Sequence, residues 1–371
     1  MFDFVPIDSY TFYFHVLILC MVGMTFLMCM SENIFDDEVV SFNNIIGTIA
    51  FSFIILYMGM RPDSYVFGDS YNYVRGYNYL VRTGANFQWH TGGEWLFTNI
   101  EILFTKLSAS FHPFFLFCSL VYTGSLWLAM RRIFGNYFFI PVLVILSMFT
   151  FWSYGVNGIR NGMGASLFIL AMTYVENLPV AAILCLCAVG IHKSVYLMIA
   201  AAILAWFVKN SYYYLAAWIL CVIVSFFFGS TIQSALGGLS LFSGDDRFSA
   251  YMTGSNMQGE LVQVSMIFRW DYLIYSSMGV IVGYYFIFRK NFQDEYYHWI
   301  YNTFLVTNAF WVLIIRAAYS NRFAQISWFI MPVVLIYPFL RDRFWPDHER
   351  KMGWALLLFY AFSFYFNIIK G

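Results

Sequence analysis

Residues 10–30 read YTFYFHVLILCMVGMTFLMCM, with no Asp, Glu, Lys or Arg. That is long enough to cross the roughly 20-residue hydrocarbon core of a bilayer as one helix. The stretch before it carries Asp3 and Asp8 but no basic residue, so it lacks the flank of a cleaved signal peptide, and the segment is expected to remain a membrane helix. The same reading extends along the chain. Candidate helices fall at residues 44–60, 113–130, 137–154, 159–174, 179–191, 194–208, 212–229, 270–288, 299–315, 323–340 and 352–369, making about twelve with the first. The segment at 179–191 is too short to span unaided and is expected to tilt or to end inside the protein.

Composition agrees. Of 371 residues, 61% are hydrophobic and only 11% charged, and the mean hydropathy is +0.67. The expectation is an all-α, polytopic integral membrane protein forming one domain over 1–371. Twenty Lys/Arg balance twenty Asp/Glu, with no basic block for nucleic acid and no acidic tail. The six cysteines all lie in apolar runs and read as small buried hydrophobes. Two connectors are long. Residues 61–112 include an amphipathic stretch, 94–110, expected to lie in the membrane interface as a helix. Residues 230–268 are Gly/Ser-rich and read as a flexible loop or lid.

The few charges gather in polar knots between apolar runs: Arg61-Pro62-Asp63 with Gly68-Asp69-Ser70, Asn157-Gly158-Ile159-Arg160, His192-Lys193-Ser194, Asp245-Asp246-Arg247 and Asn321-Arg322. Ionisable groups near hydrocarbon are expensive and mark working sites. With twelve crossings and 94–110 not crossing, all five knots share one face. The opposite face receives Arg131-Arg132, Lys209, Arg289-Lys290 and the basic residues of 341–351, which read as cytoplasmic anchors. Arg61, Arg160, Lys193, Arg247 and Arg322 would then line one outer cavity, where guanidinium forks suit a lipid-linked pyrophosphate. Asp63 or Asp69 could take a proton from a sugar hydroxyl, with capping of the following helix as the plain alternative for Asp69. His192 is a third candidate base. Asn157, Asn321, Glu94 and Tyr73 complete the candidate substrate contacts. No His/Asp/Glu set has metal-ligand spacing. No cofactor is therefore expected, although a divalent ion between an Asp and pyrophosphate is compatible with the residues.

These motifs resemble a known family. Arg61 with Gly68-Asp69-Ser70-x-x-Tyr73, then Asn157-Gly158-Ile159-Arg160-Asn161-Gly162, Ile191-His192-Lys193-Ser194 and Asn321-Arg322-Phe323 are similar, in order, to the pattern of EpsG-type exopolysaccharide proteins. That family resembles Wzy-type polymerases, and the long first outer loop resembles that of GT-C glycosyltransferases. The resemblance implies a GT-C-like fold and a polysaccharide polymerase of the bacterial inner membrane. Such an enzyme would join undecaprenyl-pyrophosphate-linked oligosaccharides on the periplasmic or outer face, for exopolysaccharide, capsule or O-antigen. Implied partners are that lipid-linked substrate, the bilayer, and flippase and chain-length regulator proteins of the same pathway, with no nucleic acid. By the GT-C analogy Asp69 or Asp63 is the base. Competing expectations are a flippase for the same substrate, an O-antigen-ligase-like enzyme and an O-acyltransferase using His192.

Overall fold

The opening apolar run forms α1 (Ile7–Met30), followed by α2 (Asp37–Gly59). Tyr10 Oη donates to the Tyr57 carbonyl at 2.6 Å, Tyr57 Oη donates to the Tyr10 carbonyl at 2.9 Å, and the rings stack with centroids 4.0 Å apart. A buried phenol needs a hydrogen-bond partner, so this reciprocal pair locks the start of α1 to the end of α2. The computed structural model describes residue 2 and residues 4–84, 89–237, 267–318 and 320–370, and every regular element among them is helical. They group into two compact units, Met1–Tyr196 with Phe339–Gly371, and Leu197–Pro338.

In the first unit, α2 packs on α5 (His112–Phe134), α5 on α8 (Ile159–Met172) and α8 on α9 (Leu178–Ile191), while α1 packs on α16 (His348–Phe364). Two amphipathic helices lie between α2 and α5. α3 (Ser70–Thr83) buries Ser70, Val74 and Tyr77 along one face, and α4 (Trp95–Leu107) buries Phe97, Asn99 and Ile102. The helix read over 94–110 is thus α4, whose 13 residues reach about 20 Å, short of a hydrocarbon core of about 30 Å. It lies against α3 and α9.

One expected span is not continuous. Residues 137–154 form two short helices, α6 (Phe139–Leu146) and α7 (Phe151–Val156), interrupted at 147–150. The Met148 and Phe151 amides turn back three residues, to the Ile145 and Met148 carbonyls, each at 3.0 Å. Every residue of α6 is buried, so the broken backbone faces protein rather than lipid, the circumstance in which a membrane protein tolerates it.

The second unit holds most of α10 (Val195–Phe207), then α11 (Ser211–Gly237), α12 (Trp270–Tyr284), α13 (Glu295–Leu313), α14 (Asn321–Trp328) and most of α15 (Met331–Arg341). Its interior carries a polar chain. Trp218 Nε1 donates to Asn308 Oδ1 at 2.7 Å, Asn308 Nδ2 to Ser327 Oγ at 2.8 Å, and Trp328 Nε1 to Ser276 Oγ at 2.7 Å. Each buried donor here has an acceptor, which fixes α11, α12, α13 and α14 in register.

Seven helices among the described residues are long and apolar enough to cross a membrane: Ile7–Met30, Asp37–Gly59, His112–Tyr137, Ser211–Ile232, Trp270–Arg289, Asn321–Arg341 and His348–Ile369. α8, α9 and α10 are apolar but shorter. The expectation of about twelve spans is therefore matched only in kind, as an all-helical membrane protein. The counts part where α6 and α7 interrupt a run, where 13- and 14-residue helices replace full-length ones, and at the 19-residue α13, which is not among the seven. Most of the loop read over 230–268 lies outside the described residues.

Candidate functional site

The knot after α2 is built around a buried arginine. Arg61 is 1% exposed. Its guanidinium donates to the Met58 carbonyl at 2.6 Å and to Ser70 Oγ at 2.5 Å, and lies 4.2 Å from the centre of the Phe115 ring. Ser70 Oγ in turn donates to the Val156 carbonyl. Arg61 thereby joins the end of α2, the start of α3 and the end of α7. Burial lowers its pKa to about 10, which still leaves it charged at neutral pH.

Gly68 comes next, with φ at +60°, and a Cβ there would fall 2.6 Å from the Asn157 side chain. Asn157 Oδ1 accepts the Asp69 amide hydrogen at 2.8 Å. Two knots 88 residues apart in sequence are thus fastened together, and only a residue without a side chain fits the contact. Asp69 occupies the N-cap position of α3 but makes no side-chain cap, so the capping alternative is not the arrangement seen. One turn on, Tyr73 Oη accepts from Arg160 Nε at 2.8 Å. Burial raises the Tyr73 pKa to about 12, with Arg160 pulling it down and the Asp69 and Glu94 charges pushing it up.

Arg160 opens α8, with its guanidinium carbon 5.4 Å from the Tyr73 ring centre and 5.7 Å from that of Phe97. Its Nη1 pairs with Glu94 Oε2, and the other Glu94 oxygen lies 3.2 Å from His192 Nε2. The three side chains keep 24%, 13% and 21% exposure for Arg160, Glu94 and His192, so the cluster is shielded yet reachable. His192 follows α9 in an extended conformation, and its Nδ1 accepts the Ser194 amide hydrogen at 3.2 Å and lies 2.7 Å from Ser194 Oγ. An Nδ1 that accepts a backbone N–H places the proton of neutral His192 on Nε2, facing Glu94. Ser194 Oγ reaches Asn161 Oδ1 at 3.4 Å. The site depends on close helix contact: a Cβ on Gly190 would lie 2.9 Å from both the Trp95 ring and Leu96 Cβ, so α9 meets α4 where no side chain intervenes.

Of the residues the sequence proposes, the first unit brings together Asp69, Tyr73, Glu94, Asn157, Arg160 and His192. Lys193 is exposed beside His192. Asp63 is exposed and lies in the field of Arg75 and His112. Asn321 and Arg322, half-buried, open α14 in the second unit, and Arg247 lies outside the described residues. Glu101 is a member the sequence reading did not single out. It stands seven residues after Glu94 on α4, on nearly the same face, and burial raises its carboxyl to about 7 despite the nearby Arg160. Among the described residues no group of three His, Cys, Asp or Glu is arranged to hold a metal ion.

The ordered knots agree with a family model that matches residues 44–371. The chain belongs to the EpsG family. No match was found among curated proteins or among solved structures. EpsG membership accounts for the chain from within α2 to its end, and the Arg160 cluster lies wholly inside the matched region.

Proposed function

We propose that this chain is a membrane glycosyltransferase that polymerises lipid-linked oligosaccharides, working at the extracytoplasmic face of a bacterial inner membrane on an undecaprenyl-pyrophosphate-linked donor. The Arg160 cluster carries the reading. In an EpsG-type protein it sets a guanidinium, held by Glu94 and Tyr73, beside the carboxylate-bearing turn at Asp69 and beside His192. An acceptor hydroxyl passes its proton to Asp69 as its oxygen bonds to the donor's anomeric carbon. The bond from that carbon to the diphosphate breaks, and its electron pair leaves with the diphosphate. Arg160 and the exposed Lys193 stabilise that growing charge. Glu94 aligns Arg160 and His192, with His192 as the alternative base. Arg61, spent on internal hydrogen bonds, positions the turn.

The test is a deletion strain complemented with Arg160→Ala and Arg160→Lys. Both variants should insert in the membrane, lose long polymer, and leave single repeat units on the carrier lipid outside, because a lysine cannot reproduce a fork shared between a carboxylate and a phosphate. Wild-type polymer from Arg160→Ala would remove the residue from this role. A transporter of the same lipid-linked glycan is the second reading, favoured by the helix interruptions at 147–150 and 314–318. It predicts units stranded on the inner leaflet and tolerance of Asp69→Asn.

A further inference from the structure

Within the second unit, the seven residues between α13 and α14 contain a charge that the sequence knots do not include. Arg316 follows the end of α13, where the Ala317 amide folds back on the Ile314 carbonyl at 2.9 Å. Its Nε is buried with no hydrogen-bond partner. Among the described residues its Nη2 reaches the Phe226 carbonyl of α11, at 3.5 Å, the outer limit of a hydrogen bond. Its guanidinium carbon lies 5.4 Å from the centre of the Phe268 ring. Among the described residues no carboxylate forms an ion pair with it, whereas Arg160, Arg269, Arg343 and Arg350 each have one.

The position is made for this side chain. Gly229 on α11 faces it so closely that a Cβ there would come within 3.0 Å of Arg316 Nε. Around it the surface is apolar and open: Phe227 is 69% exposed, Phe228 60% and Trp270 53%. The first two lie on a helix apolar enough to span, and Trp270 begins another. Aromatic residues at the ends of spans sit at the level of lipid headgroups. A guanidinium there is partly desolvated, and no carboxylate among the described residues balances its charge. The group with the matching charge, the matching forked geometry and access from that apolar surface is a lipid phosphate.

We propose that Arg316 binds the phosphate of a membrane lipid, with the lipid chain lying along the exposed aromatic side of α11. Two sources present this chemistry, the diphosphate of a polyprenyl carrier and the headgroup of an anionic phospholipid. If the carrier is the source, the inference rests on the proposed function.

The test uses the full chain in phosphatidylcholine nanodiscs, with wild type, Arg316→Gln and Arg316→Lys compared by thermal melting to verify folding. Retention of undecaprenyl diphosphate is measured in one arm and of phosphatidylglycerol in the other, with Arg160→Ala run alongside. Arg316→Gln should weaken retention about tenfold or more, the effect expected on losing a charge-assisted hydrogen bond, and Arg316→Lys should recover part of it. Weakening in the diphosphate arm identifies the carrier; weakening confined to phosphatidylglycerol identifies the bilayer headgroup. Unchanged retention in both arms, in a variant that melts like wild type, overturns the proposal. Because the assay reads binding and not polymer, it can succeed even if the glycosyltransferase reading fails.

Discussion

At the scale of single residues, the cluster is organised by one carboxylate that serves two partners, a guanidinium and an imidazole. Glu94 takes Arg160 on one oxygen and His192 on the other. Removing one partner of such a shielded pair is costly, of order 3 kcal/mol, because the remaining charge loses its compensation. Glu101 has the opposite character: burial holds its carboxyl near 7, against an ordinary value of 4.5, with Arg160 pulling the other way. The unfolded chain releases this proton near 4.5, whereas the folded chain keeps it until about 7. The contribution of Glu101 to stability is therefore fully present below 4.5 and is lost as pH rises through 7. Glu101→Gln, which keeps the shape of the neutral form, should flatten that decline. Apparent melting temperatures of wild type and variant in detergent, taken across this range, would measure it, and parallel curves would show that Glu101 titrates as an ordinary surface acid.

At the scale of elements, the sequence spoke clearly where charges interrupt apolar runs and poorly where nothing does. The knots at Gly68-Asp69 and Asn157 through Arg160 were legible, since polar residues stand out in this chain, and they prove to be two halves of one contact. The break at 147–150 falls in Ser-Met-Phe-Thr, with no Gly or Pro to mark it, and only burial inside the unit makes it tolerable. Glu101 falls within the amphipathic stretch 94–110, where an acid ordinarily faces water, yet here it lies near Arg160, because α4 packs between α3 and α9. Arg316 lies one residue past an expected span end, where a basic residue reads as an anchor. The contact of α4 with α9 carries its own prediction. Gly190→Val would push a branched side chain into the Trp95 ring and Leu96, prising Glu94 from His192. The variant should reach the membrane at normal levels but lose most polymer, whereas Gly190→Ala should lose less, because a single methyl calls for a smaller shift. Full activity of Gly190→Val would mean that the α4–α9 spacing does not govern the site.

At the scale of the whole molecule, the proposed function depends on which ends of the helices face outward. Within the first unit the two classes of basic residue lie at opposite ends of the same helices. Arg61 packs on Phe115 near the start of α5, and Arg160 opens α8. Arg132 lies in the last turn of α5, its guanidinium carbon 3.6 Å from the centre of the Tyr174 ring just beyond the end of α8, and donates to Thr173 Oγ1 at 3.1 Å. The 23 residues of α5 separate these ends by about 35 Å, enough to cross a bilayer. Arg341 joins the second class, donating to the Ile133 carbonyl at 2.8 Å. Basic residues that close helix ends in this way suit the cytoplasmic side, in keeping with the proposal that the Arg160 cluster faces outward. With the six native cysteines removed, Lys193→Cys and Asp63→Cys should react with a membrane-impermeant maleimide in intact cells, and Asp246→Cys should do the same if the loop knot shares that face. Arg131→Cys should react only after the membrane is opened. The reverse pattern would place the cluster in the cytoplasm, where a lipid-linked donor exported before polymerisation could not reach it, and the outward glycosyltransferase reading would fall with the topology.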